Sequence, residues 1–448
     1  MNYKKLLSMA LLAAGMITMV SCSDGAKETT QCQENQKFQM NKVTDYLYNT
    51  TLDYDFDYSK AIELNDKYGP MPKAACTSIS IGNLRGRNLD WFYADGAEFV
   101  VRTPKTETRH ASIGVAPLTS LPADKVDDGQ YHPEYELLPY QTLDGINDAG
   151  ICINLNIVNY QEFGPWEMKT EITDDDMLET AGPRMILDNC GNLADIIQLY
   201  DKYDWISMGT VDETHIMVSG PRCAEDNSYT IVVFEFIPFT ENGKTFRKLC
   251  CISPDEKDIA IVGGDASRFY HSKADPFIMT NFNLWQFEAD KDRRGRLLST
   301  TEHPMGFERY ENVEAVANTA ICIAGGKDKL TNMQMQDIMR SVYYSNYYNT
   351  FNNNFWYTED VSTMPSKKEL INLTDEQRNP RGDINKIYKG KDDKFINGCS
   401  FAIKEWANRD RKVKCDLWET LHTIIYNYKD RSFQINVHEG SIYYDYSL

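Results

Sequence analysis

From Cys76 to the C-terminus the chain alternates between short apolar or period-two runs and polar breaks, the pattern that strands leave in a sequence. The runs at 76–81, 84–92, 150–158, 213–219, 228–236, 246–252 and 420–437 predict strands, with few signals of a parallel sheet. Apolar residues at helical spacing predict helices at about 182–203, 308–322 and 331–343. Strands therefore come in groups rather than in strict turn with helices. That order predicts an α+β fold of antiparallel sheets covered by helices. Residues 38–75 are acidic and tyrosine-rich and end in Gly69-Pro70-Met71-Pro72, whose prolines no helix continues through. They predict a prosegment or accessory element, and the polar stretch 351–415 predicts an insertion within a domain running from 76 to 448.

The first residues add a leader. Lys4 and Lys5 precede an apolar run at 6–20, so residues 1–22 predict an export signal that does not enter the fold. Met19-Val20-Ser21-Cys22 resembles a bacterial lipobox. That resemblance implies a lipid on Cys22, a membrane anchor through it, and a place in the cell envelope. Residues 23–37 are polar and tether-like. No later stretch approaches the roughly 18 apolar residues that span a bilayer.

Composition narrows the function classes. With 448 residues and 42% apolar content the chain can bury one large core or two modest ones. A formal net charge of −19 repels phosphates, which argues against a nucleic-acid partner. Of 11 cysteines, nine remain once Cys22 and Cys76 are set aside, and an odd number cannot all pair. Cys152, Cys250, Cys251 and Cys322 lie in apolar runs and predict small buried hydrophobes, while Cys399 and Cys415 could form a bridge. No CxxC, HExxH, GxSxG or GxxxxGK[ST] pattern occurs, so the sequence implies neither a metal nor a cofactor.

The segment 74–91, AACTSISIGNLRGRNLDW, holds the candidate chemistry. Gly82-Asn83 predicts a two-residue hairpin turn, with Ile81 facing Leu84, Ser78 opposite Arg87 and Cys76 opposite Leu89. Cys76 and Arg87 then share a face as diagonal neighbours, roughly 7–8 Å apart and within reach of an arginine side chain. A guanidinium there favours thiolate over thiol. Asp90 falls just beyond the Cys76 strand, where it could hold a free α-amine if Cys76 began a chain. An α-amine titrates at roughly 7.7–8.0 and can take the thiol proton without a histidine. An ordinary hairpin with surface ion pairs uses the same spacing.

Cys-Thr-Ser-Ile followed by Gly-Arg-Asn-Leu-Asp-Trp resembles the start of the catalytic chain in the choloylglycine hydrolase superfamily. That superfamily includes bile salt hydrolases, penicillin V acylases, acid ceramidase and N-acylethanolamine acid amidase. The resemblance implies an αββα fold of the N-terminal-nucleophile type and cleavage of a linear amide. It also implies cleavage between Ala75 and Cys76, which makes Cys76 the nucleophile, with Arg87 and Asp90 assisting.

Further matches extend it. Asp144-Gly145-Ile146-Asn147-Asp148-Ala149-Gly150, then Ile151-Cys152-Ile153-Asn154-Leu155-Asn156, resembles the family turn and strand whose asparagine binds the oxyanion. Period two sends Ile151, Ile153, Leu155 and Ile157 to one face and Asn154 and Asn156 to the other. Asn156 fits the family's Leu-Asn pair, with Asn154 as the alternative. Thr280-Asn281 resembles a second oxyanion strand end, giving that role to Asn281. For the last arginine, Gly306-Phe307-Glu308-Arg309-Tyr310 favours Arg309, and Asp292-Arg293-Arg294 offers Arg293 or Arg294. The segments at 215–220 and 230–235 and at 421–426 resemble the family's central and C-terminal hairpins and read as packing; His422 is read as structural.

The leading function is hydrolysis of a small-molecule N-acyl amide or conjugated bile salt through an acyl-enzyme at Cys76, with an apolar acyl half and no cofactor. The alternative is a lipid-anchored binding protein of the same fold that does not cleave. A homo-oligomer is left open.

Overall fold

The computed structural model describes residues 38–68, 74–91, 96–158, 173, 175–206, 213–241, 244–289, 306–343 and 419–448. The leader with Cys22, the tether, Arg293, Arg294, the 351–415 stretch and the Cys399–Cys415 pair lie outside the described residues.

In chain order the strands are β1 (Phe38–Lys42), β2 (Leu47–Leu52), β3 (Ala74–Ile81), β4 (Leu84–Trp91), β5 (Gly96–Thr103), β6 (Ser112–Pro122), β7 (Asp144–Asn147), β8 (Cys152–Val158), β9 (Asp176–Leu178), β10 (Asp204–Ile206), β11 (Glu213–Pro221), β12 (Tyr229–Glu241), β13 (Lys244–Ser253), β14 (Phe269–His271), β15 (Phe277–Met279), β16 (Glu419–Asn427), β17 (Ser432–Val437) and β18 (Tyr444–Ser447). The main helices are α1 (Lys60–Tyr68), α2 (Gly182–Asn189), α3 (Leu193–Lys202), α4 (Leu284–Ala289), α5 (Phe307–Ala324) and α6 (Asn332–Arg340). Among the described residues ten strands form one sheet, β1-β2-β5-β6-β7-β8-β11-β12-β13-β14, and six form another, β15-β3-β4-β16-β17-β18. The chain is thus α+β. The smaller sheet is antiparallel throughout; the larger has parallel pairs at β2/β5 and β13/β14.

The hairpin that carries Cys76 forms in the expected register, with Cys76 opposite Leu89, Ser78 opposite Arg87 and Ile81 opposite Leu84. Its turn needs Gly82, which has φ 56° and lies so close to the Lys327 carbonyl that an added Cβ would meet that oxygen at 2.9 Å. Toward the turn one face of β3 and β4 is apolar, and Ile79, Ile81 and Leu84 pack with Phe307, Tyr310, Val313, Met335 and Met339 of α5 and α6. Burying each such side chain contributes about 1.5–3 kcal/mol. The other face carries Cys76, Ser78, Arg85 and Arg87 toward the larger sheet.

On β8 the alternation does the reverse. Ile153, Leu155 and Ile157 pack with Leu187, Leu193 and Ile196 of α2 and α3, while Cys152 joins Ile424, Tyr426, Phe433 and Ile435 of the smaller sheet. Asn154 and Asn156 both bond Ser78 of β3, so polar side chains meet between the sheets.

Several expectations are corrected. The helix at 182–203 is two helices, because Gly191-Asn192 breaks it and Asn192 with Asp195 forms a capping box that starts α3. Cys322 is exposed rather than buried: the end of α5 leaves the core, and its neighbour Ile323 is 76% exposed. Asp90 does not fall beyond the strand, since β3 begins at Ala74 while the peptide bond before Cys76 is intact, and Asp90 pairs with Ala75. Within the predicted prosegment or accessory element, β1 and β2 join the larger sheet, with β2 beside β5 and Leu47, Tyr48 and Leu52 fully buried. Helix α1 is described to Tyr68, and Gly69-Pro70-Met71-Pro72 lies outside the described residues.

Candidate active site

Cys76 lies in β3 between β15 and β4, 1% exposed. Arg87 approaches it from the paired strand, with Nη2 3.5 Å from Cys76 Sγ. Two contacts aim that guanidinium: Nη2 donates to the Leu155 carbonyl at 3.0 Å, and Nη1 pairs with Asp144 Oδ2 at 2.9 Å. Burial pushes the Cys76 thiol above its ordinary value, and the positive charges of Arg87 and Arg309 oppose that rise. Burial works against the Arg87 charge as well, but Asp144 and Cys76 outweigh it and its affinity for the proton rises.

Asn281 and Arg309 hold the backbone on both sides of the thiol. Asn281 Oδ1 accepts the Cys76 N–H at 2.8 Å, and Arg309 Nη1 donates to the Cys76 carbonyl at 2.5 Å and to Thr77 Oγ1 at 2.8 Å. Arg309 Nη2 also donates to Asn281 Oδ1. Arg309 comes from the first turn of α5, whose N-cap is Gly306 at φ 86°. A Cβ there would meet Arg309 Nη2, the Asn281 nitrogen and Thr280 Cβ, each at 3.0 Å, so glycine lets the helix start against the Asn281 corner.

Asp90 sits on the face opposite the thiol, with Thr77. Its carboxylate takes Arg309 Nη1 at 3.2 Å and the Thr420 hydroxyl at 2.7 Å. Burial pushes it up to about 6, against the pull of Arg309 and Thr420. In the uncut chain Asp90 therefore reaches the Cys76 backbone through Arg309.

The asparagines divide the work. Asn281 Nδ2 donates to the Ile157 carbonyl at 2.6 Å, which leaves its second hydrogen available. Asn156 Nδ2 donates to both the Met279 and Thr280 carbonyls, at 3.2 and 3.1 Å. Asn154 Nδ2 donates to Ser78 Oγ at 2.7 Å, and its Oδ1 has no hydrogen-bond partner among the described residues. Arg87 thus meets the Cys76 thiol, Asn281 and Arg309 meet its backbone, Asp90 joins through Arg309, and Asn154 and Asn156 meet Ser78 two residues along the strand; Arg293 and Arg294 fall outside the described residues.

The sequence reads His422 and the 215–220 segment as packing and does not show the two clusters that they join. Behind Arg87, His422 Nε2 lies 2.5 Å from Arg87 Nη1 and 3.1 Å from Asp144 Oδ2, and its Nδ1 lies 3.0 Å from Glu98 Oε2 without the alignment of a hydrogen bond. Burial disfavours the imidazolium, but Glu98 and Asp144 overcome it and raise its affinity for the proton. The second group is a His215–Glu235 pair at 2.8 Å. The available signal was a charged residue on a strand whose neighbours are apolar. Glu98 in GAEFVVRT and Glu235 in TIVVFEF both show it.

Among the described residues no group of three or more His, Cys, Asp and Glu side chains is placed to hold a metal. A cleft of about 430 Å³ lined by Ser80, Gly82, His271, Lys273, Phe277 and Lys327 opens at the turn end of the hairpin, away from Cys76.

No family model matches the chain, and no curated protein does. Solved structures similar to it include two variants of conjugated bile acid hydrolase from Clostridium perfringens. Both are 12% identical with a TM-score of 0.37; one match covers 84% of this chain and 92% of that one, the other 83% and 92%. Penicillin V acylase from Agrobacterium tumefaciens is 13% identical over 83% of this chain and 86% of that one, with a TM-score of 0.31. Both enzymes belong to the choloylglycine hydrolase superfamily. At such scores the likeness decides nothing about the site, whose chemistry rests on its own geometry.

Proposed function

We propose that this chain is an amidohydrolase that cuts itself before Cys76 and then hydrolyses a linear, non-peptide amide through a Cys76 acyl-enzyme. The supporting observation is the placement of one guanidinium 3.5 Å from the thiol while the Cys76 N–H and C=O are held by Asn281 and Arg309. In the first step Sγ attacks the Ala75 carbonyl, the C–N bond breaks, and the thiol proton passes to the departing Cys76 nitrogen. Water then hydrolyses the thioester and leaves a carboxylate on Ala75 and a free α-amine on Cys76. In turnover that amine takes the thiol proton, the thiolate attacks the substrate amide, the protonated amine leaves, and water releases the acid. Asn281 donates its free amide hydrogen to the oxyanion, a contact worth roughly 3–4 kcal/mol in such sites.

The finer parts of the proposal rest on the sequence. The αββα arrangement is supported by helices packed on the outer faces of two sheets that share a core. The resemblance at 76–91 supports an apolar acyl half, bile acyl or fatty acyl. The lipobox supports a lipid on Cys22 and a lipid-anchored place in the cell envelope.

The test is an intact mass of the purified full-length chain, wild type against Cys76→Ala. A panel of glycine and taurine bile conjugates, N-acylethanolamines, ceramide and penicillin V is run on the same two proteins. The expected result is a cut before Cys76 and turnover of at least one amide, both lost in Cys76→Ala. An uncut wild type that releases no acid, or equal rates in the two proteins, refutes the proposal and favours a non-cleaving binding protein.

A further inference from the structure

Three polar side chains stand in one row across the larger sheet. Asn156 on β8 pairs in register with His215 on β11, and His215 with Glu235 on β12. All three are buried. Each reaches the corner that follows β15. Asn156 donates to the Met279 and Thr280 carbonyls, and His215 Nε2 lies 2.8 Å from the Thr280 carbonyl. Glu235 Oε1 and Oε2 accept the backbone N–H groups of Leu284 and Trp285 at 2.7 and 2.9 Å, where α4 begins. The corner is therefore pinned at both ends, at 279–280 and at 284–285. Asn281 lies between the pins.

The hydrogen pattern makes this a strut. The Thr280 carbonyl can only accept, so Nε2 of His215 carries a hydrogen. Glu235 Oε1 lies 2.8 Å from Nδ1, so one hydrogen sits between those two atoms and closes the contact. The imidazole then bonds at both ends and fixes the distance from β12 to the Thr280 carbonyl. Apolar residues in such a row would hold the two sheets at least as well, because a buried ion pair seldom outperforms a packed hydrophobic replacement. What apolar residues cannot do is orient a backbone carbonyl next to Asn281.

We propose that His215 and Glu235 are positioning residues for the chemistry at Cys76, acting through the Thr280–Asn281 corner. This rests on Cys76 being the nucleophile. Asn281 Oδ1 accepts the Cys76 N–H and its Nδ2 donates to the Ile157 carbonyl, so a small rotation of the corner moves both contacts together. Misplacement by about 1 Å costs on the order of 100-fold in such sites.

The experiment uses the full chain and five variants: Glu235→Gln, His215→Gln, Asn281→Ala and the two double variants that combine Asn281→Ala with each of the first two. The time course of the cut before Cys76 is read by intact mass. The kcat and KM are read on whichever amide the wild type hydrolyses. Glu235→Gln and His215→Gln are expected to slow the cut and lower kcat by about 10- to 100-fold with KM changed less than about two-fold. In the Asn281→Ala background the same substitutions are expected to change kcat by less than about two-fold, since the corner then has nothing left to position. An unchanged kcat, a loss in KM alone, or an equal factor in both backgrounds overturns the proposal. Variants that no longer melt cooperatively also overturn it, in favour of a row that only supports the fold. A wild type that neither cuts itself nor hydrolyses any amide defeats the nucleophile assignment itself, and the positioning role falls with it.

Discussion

The carboxamide oxygen of Asn281 accepts the backbone N–H of Cys76 at 2.8 Å, across 205 residues of chain. That hydrogen belongs to the nitrogen that must depart when the bond after Ala75 breaks, so one contact serves the peptide before the cut and the amine after it. Asn281→Ala is expected to slow the self-cut by about 100-fold, the scale of a lost oxyanion donor. Intact mass over time on freshly purified chain checks this. A variant that cuts at the wild-type rate would remove Asn281 from the chemistry.

Arg87 is held at its carbonyl, its carboxylate and the thiol by a planar fork, and lysine has no fork. Burial already pushes the Cys76 thiol up, and Arg87 is the first of the charges that oppose it. Arg87→Lys leaves a cation for Asp144 but withdraws the second donor from the sulfur. In the cut protein, alkylation of Cys76 by iodoacetamide at a fixed pH near 8 is expected to slow about ten-fold, one unit of thiol affinity. Equal alkylation rates in wild type and variant would show that the thiol does not depend on this guanidinium.

Much of this site was legible in the sequence because strands obey a period of two. Once Gly82-Asn83 marked the turn, counting outward placed Cys76, Ser78 and Arg87 on one face, and the register agrees at every pair. The same counting separated Asn154 and Asn156 from Ile153 and Leu155. The limits lay where partners are distant. Nothing local in Asp144, His422 or Glu98 says that they meet behind Arg87, since 278 residues separate His422 from Asp144. Asp90 stands one position past the Cys76–Leu89 pair, as the counting has it, and what differs is the start of the strand, which in the intact peptide runs back to Ala74 and gives Asp90 a partner in Ala75.

The segment before the proposed cut packs into the core. Strand β2 runs parallel to β5, Tyr48 stacks on Phe99 at 5.4 Å between ring centroids, and Tyr58 donates to Asp188 at 2.7 Å. The Arg109 guanidinium holds the Tyr54 carbonyl at 2.7 Å. A cut after Ala75 breaks none of these contacts. The cut protein is expected to elute as one species from size exclusion and to give two chains under denaturing conditions. Tyr48→Ala is expected to lower its stability by about 3–5 kcal/mol, the cost of emptying a buried aromatic site. An N-terminal fragment that washes away while the larger chain stays folded would show that 38–68 is dispensable.

Asp90 gives the fold a pH dependence opposite to that of most carboxylates. Burial lifts it from 3.8 to about 6 in the uncut chain, although Arg309 and Thr420 pull the other way. The folded state therefore binds this proton more tightly than the unfolded chain. Its stabilising contribution is complete below 3.8 and is lost as pH rises through about 6. Cys76→Ala, which is expected to stay uncut, isolates the effect when compared with Cys76→Ala/Asp90→Asn in urea at a series of pH values. Between pH near 4 and pH near 7 the gap should move by up to roughly 3 kcal/mol in favour of the asparagine chain. A gap that does not change with pH would mean that Asp90 keeps the affinity of an exposed carboxyl. The same carboxylate holds the arginine that grips the Cys76 carbonyl, so a pH-dependent gap would place a titrating group one contact away from the proposed nucleophile's backbone.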